Sequence, residues 1–96
     1  MYKSECLINS LMLELESLIS RLKNINQVYS RTFNNNLRER LILENGAIWT
    51  RIKEISSIAE FLVERSNDQM SLSNLLLEKS RRTIYQMNIK RNLFFL

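Results

Sequence analysis

Residues 34–56, NNNLRERLILENGAIWTRIKEIS, decide the fold, because they hold the single glycine of a 96-residue chain that has no proline. If Asn45-Gly46 is a turn, the stretch is two short helices meeting at a tight corner, a shape that can carry nucleic-acid recognition. If it is not, the stretch is one long helix. A turn shifts the phase of an apolar stripe between its two sides, and here the phase is kept. Leu41, Ile48, Ile55 and Leu62 are seven apart, with Asn45, Ile52 and Ala59 at the intervening positions, so one face continues through Gly46. The spacing predicts a helical Gly46, at a cost of about 1 kcal/mol relative to alanine that close approach of a neighbouring helix would offset. Asn45 is then either a polar residue in a seam, which fixes register, or a half-solvated residue at its rim, the simpler reading.

Working outward, Asn34-Asn35-Asn36 is a run of short amides that bond their own backbone, and it predicts a corner. Asn36 with Glu39 has the form of a capping box, which starts the second helix at Leu37. That helix is expected to end near Arg65, before the turn-forming residues 66–69. Ile42, Trp49, Ile58, Phe61 and Val63 widen its apolar face, so it must be covered on more than one side. Before the corner, Ile8, Leu11, Leu15, Leu18, Leu22, Ile25 and Tyr29 alternate steps of three and four. This predicts a first amphipathic helix over about 3–32, roughly 45 Å long. The third helix is expected over about 70–92, with a less regular face of Leu72, Leu75, Leu76, Leu77, Ile84, Tyr85, Met87 and Ile89, thinned at Ser80 and Arg81. The final NLFFL is either a frayed end or a docking segment.

The expected fold is all-α: one domain over 1–96, a long helical hairpin plus a third helix, in the manner of a three-helix bundle or coiled coil. With 45% hydrophobic and 25% charged residues the composition is globular. So small a chain buries only roughly 60 to 65% of the surface it exposes unfolded, so completion of the bundle by oligomerisation or by a partner is expected.

Several chemistries are excluded by residue types that are missing. The chain has no histidine, which removes imidazole-based nucleophilic catalysis and the common zinc and iron ligand sets. One glycine cannot build a Walker or dinucleotide loop. Cys6 has no partner for an intramolecular disulfide and reads as a small hydrophobe at a core edge. Glu14 and Glu16 are two apart and cannot share a helix face, and Glu60 and Glu64 read as a solvated face. No cofactor, metal or enzymatic activity is expected. No stretch has the apolar length of a membrane span, and the first residues lack the apolar core of a signal peptide, so a soluble, intracellular and cytoplasmic protein is expected.

The formal charge of +4 is concentrated at one end: from Glu78 onward Lys79, Arg81, Arg82, Lys90 and Arg91 face one acidic residue, while the first 77 residues balance at nine and nine. This basic end suits an acidic partner, nucleic-acid phosphates or an anionic membrane surface, or simply the negative end of a helix dipole. The favoured functional reading is a non-catalytic protein–protein interaction module, with Leu18, Leu22, Ile25, Tyr29, Trp49 and Ile52 as contact residues, unless these form the internal core. The alternative is a nucleic-acid-binding protein using the basic C-terminal helix.

Overall fold

In a computed structural model the chain forms three helices, α1 (Tyr2–Arg31), α2 (Asn35–Arg65) and α3 (Leu72–Phe94). The structure describes residues 2–65 and 72–94, with side chains from 6 to 65 and from 72 to 87. Among these residues there is no strand, and the expected hairpin plus third helix is the observed architecture. The turn expected over 66–69, the start of a third helix at Met70 and the last two residues of the terminal NLFFL lie outside the described residues.

Three residues, 32–34, make the corner between α1 and α2. The cap is Asn34, two residues earlier than the Asn36 capping box predicts: its Oδ1 accepts from the backbone N–H groups of Asn36 (3.0 Å) and Leu37 (3.2 Å). The Asn34 carbonyl accepts the first helical bond, from the Arg38 N–H at 3.0 Å. Each of the three asparagines carries the same capping side chain, and the first to follow α1 takes the role. Asn35 and Asn36 then extend α2 instead of interrupting it. Arg38 reaches back across the corner, its Nε donating to the Thr32 carbonyl at 2.9 Å while its guanidinium lies 4.9 Å from the centre of the Tyr29 ring. One side chain thus satisfies a carbonyl left without a partner beyond α1 and covers an aromatic face.

Ion pairs fix how the helices run. Arg21 pairs with Glu44, and Glu14 with Arg51; seven residues forward on α1 correspond to seven back on α2, so the two are antiparallel. On α3, Arg81 approaches Glu60 of α2 at 3.9 Å and Lys79 meets Glu16 of α1 at 3.0 Å. Glu14 and Glu16 therefore bridge to different helices, as a spacing of two residues requires.

The core follows the predicted stripes. Ile8, Leu11, Leu15, Leu22 and Ile25 of α1 are buried with Leu41, Ile48, Ile52, Ile55 and Ala59 of α2, and Leu18, Tyr29 and Leu62 pack against them. The face of α3 is irregular for a reason the apolar pattern hides: Ser73, Ser80 and Thr83 are buried beside Leu76 and Leu77. The Ser80 and Thr83 hydroxyls donate to the carbonyls of Leu77 and Lys79 at 2.9 and 2.8 Å, so the polar atoms are satisfied within the helix. Small side chains let backbones approach, and the α2–α3 contact is the most extensive of the three.

Gly46 is helical, as the phase argument requires, but the reason proposed for it fails. A Cβ built there would meet nothing within 4 Å among the described residues, so no described neighbouring helix uses the space. Thr50 Oγ1 donates to the Gly46 carbonyl at 3.0 Å. Asn45 is half-buried, at the rim of the seam rather than inside it.

Candidate interaction surfaces

The structure turns the six expected contact residues inward to different degrees. Leu22, Ile25 and Ile52 are core, Leu18 and Tyr29 pack against it, and Trp49 is half-buried with the Lys53 ammonium 3.4 Å above its ring. The first five hold the chain's own helices together, whereas Trp49 is not part of the core cluster. Cys6, expected at a core edge, is exposed.

The basic residues of α3 are neutralised within the chain wherever their side chains are described. Lys79 pairs with Glu16, Arg81 with Glu60, and Arg82 with Glu78 at 3.0 Å across one helical turn. Glu78 is visible in the sequence, one turn from Arg82, but Glu16 and Glu60 reach Lys79 and Arg81 only through helix packing, which charge counting along the chain does not see. The side chains of Lys90 and Arg91 lie outside the described residues.

Large apolar side chains face outward at several places, Leu7 and Leu13 (68% exposed) on α1 among them. Phe33, at the tip of the hairpin, is 89% exposed, and from Asn26 to Arg40 no residue is buried. On α3, Leu72, Leu75 and Tyr85 are exposed. On α2, Arg40, Leu43, Ala47, Thr50, Glu54, Ser57, Phe61 and Glu64 alternate steps of three and four along one exposed stripe, opposite the buried one. Leu43 is 74% exposed and Phe61 51%.

The polar groups along this stripe are largely occupied by the chain itself. Thr50 bonds the Gly46 carbonyl, Glu54 accepts from Arg51 Nη1 at 3.0 Å, and the Arg65 guanidinium lies 4.4 Å from the Phe61 ring centre. The cations that border its middle are turned aside, Lys53 onto Trp49 and Arg51 onto Glu14, where Nη2 meets Oε1 at 2.9 Å. That contact holds the Glu14 carboxyl below its ordinary range, and Arg21 does the same to Glu44; Arg51 is raised in turn, by its bonds to Glu14 and Glu54. Arg40 and Glu64 take part in no ion pair among the described residues.

Among the described residues no three His, Cys, Asp or Glu side chains group in a way that could hold a metal ion, and no helix is long and apolar enough to cross a membrane. The carboxylates named above are engaged with arginine and lysine across helix seams, an arrangement that fixes register. Comparison of the chain with protein families, curated proteins and solved structures finds no match.

Proposed function

We propose that the chain is a non-catalytic helical protein–protein interaction module, a small adaptor, assembly subunit or dedicated chaperone that works by completing a helical bundle with itself or with another chain. The observation that carries this reading is the outer stripe of α2. With α1 and α3 already packed on its other sides, this central helix still presents Leu43 and Phe61 to solvent, 18 residues apart, with Ala47, Thr50, Ser57 and the Arg51-paired Glu54 between them. Apolar surface removed from water contributes about 25 cal/mol per Å², and a further helix laid on the stripe would collect that contribution.

The test is affinity capture of the tagged chain from its source cells, washed in parallel at low salt, at high salt and with nuclease. A stoichiometric protein, whether another chain or an untagged copy of this one, is expected to survive all three washes and to be lost when Leu43→Glu and Phe61→Glu are introduced together. Retention by that variant overturns the assignment of the surface. Capture that disappears with salt and nuclease replaces the reading with nucleic-acid binding through Lys79, Arg81, Arg82, Lys90 and Arg91.

A further inference from the structure

We propose that the outer stripe of α2 is covered by the same stripe of a second copy, running antiparallel about a two-fold axis level with Ile52. This rests on the reading of the chain as a helical interaction module and names the occupant of its surface.

The argument is the symmetry of the stripe. Turning it end over end about Ile52 places Leu43 on Phe61 of the second copy, Ala47 on Ser57, Thr50 on Glu54 and Arg40 on Glu64, each pair twice in the dimer. The two large apolar side chains meet each other, Ala47 meets Ser57, Thr50 meets a Glu54 already paired with Arg51 of its own chain, and the two charges of the stripe that form no ion pair among the described residues, Arg40 and Glu64, meet with opposite sign at each end. Parallel pairing of the same stripe would set Arg40 on Arg40 and Glu64 on Glu64, so charge selects the antiparallel orientation. In the middle, where like residues approach the axis, the cations are already withdrawn: Lys53 lies over Trp49, and Arg51 is held by Glu14 and Glu54. The Thr50 hydroxyl donates to the Gly46 carbonyl, so a partner helix there meets no unsatisfied hydroxyl donor.

The test is made on the full chain by sedimentation equilibrium, with helix content followed by circular dichroism. All substituted positions are exposed, and the fold is expected to be unchanged. Wild type associates as a dimer. Arg40→Glu and Glu64→Arg each weaken association about tenfold, because a favourable contact becomes a like-charge contact twice per dimer. The double variant, in which the pair is restored with reversed sign, returns to within a few-fold of wild type. Register is read separately by disulfide trapping in a Cys6→Ser background. A mixture of the Leu43→Cys and Phe61→Cys chains cross-links, while either alone does not, since identical positions lie roughly 27 Å apart along the helix, beyond the reach of a disulfide.

A chain that stays monomeric at all concentrations overturns the proposal, as does a dimer that the double variant fails to restore or one in which Leu43→Cys alone cross-links. If the monomeric chain still captures a different protein through Leu43 and Phe61, only the choice of a second copy falls and the interaction-module reading stands.

Discussion

Gly46 and Asn34 show how much a single residue's role depends on what stands around it. A glycine in an exposed helical position costs about 1 kcal/mol relative to alanine, and among the described residues nothing fills the space that a methyl group would take at Gly46. Gly46→Ala is therefore expected to raise stability by about 1 kcal/mol in urea unfolding. That Gly46 is helical was legible in the unbroken phase of Leu41, Ile48 and Ile55; that its open side faces solvent was not, because phase reports the buried face only. Asn34 is the converse case, since three identical side chains in a row leave the sequence unable to say which one caps. Asn34→Ala is expected to cost about 0.5–2 kcal/mol, while Asn36→Ala, inside the first turn, leaves the cap in place and changes stability much less. Thermal melts of the two variants, compared side by side, check the assignment.

Between elements the same limit recurs. The apolar stripes of α1 and α2 could be read from spacing because large side chains alternate there at helical intervals and most of them are buried. The face of α3 could not, because three of the five buried residues among its described side chains are Ser73, Ser80 and Thr83, which spacing rules count as polar. Ser80 is fully buried, and Ser80→Leu, the change that apolar patterning alone would favour, is expected to overpack the surroundings of α3 at a cost of about 1–3 kcal/mol. A lower midpoint in urea at an unchanged slope would register that loss. The α1–α2 seam is set by charge as well as by packing. Arg51 and Arg21 lower the pKa values of Glu14 and Glu44 from the usual 4.5, so the folded state binds protons less readily there than the unfolded chain. Their contribution is complete above that value and is lost as the pH falls through the lower folded-state values. Both pairs are more than a third exposed, so the effect is modest. Melting temperature should fall on acidification, and the fall should be smaller in a Glu14→Gln, Glu44→Gln double variant.

At the scale of the molecule, the three helices make an elongated body of 50 × 22 × 15 Å, with a Cα radius of gyration of 15.4 Å, where a compact chain of this length would have roughly 12–13 Å. The candidate surfaces follow from this shape, since thin helices packed side by side each keep an outer face. The third helix has 23 residues against 30 and 31 for its neighbours, roughly 10 Å less, and no residue from Asn26 to Arg40 is buried. Hydrogen exchange is accordingly expected to be fastest, among the described helical amides, toward the hairpin tip and slowest around Ile52 and Ile55. The corner beside that tip has a further consequence. Residues 32–34 are the sole interruption in a helical run from Tyr2 to Arg65, and without it those residues would form one rod of roughly 96 Å. Such a rod cannot fold back on itself, and each half of its apolar stripe would have to be covered by the opposite half of another rod. The asparagine cap thus decides whether α1 packs on the α2 of its own chain or is exchanged with a neighbour: a corner rebuilt from helix-forming residues would yield domain-swapped molecules with the same seam of leucine and isoleucine.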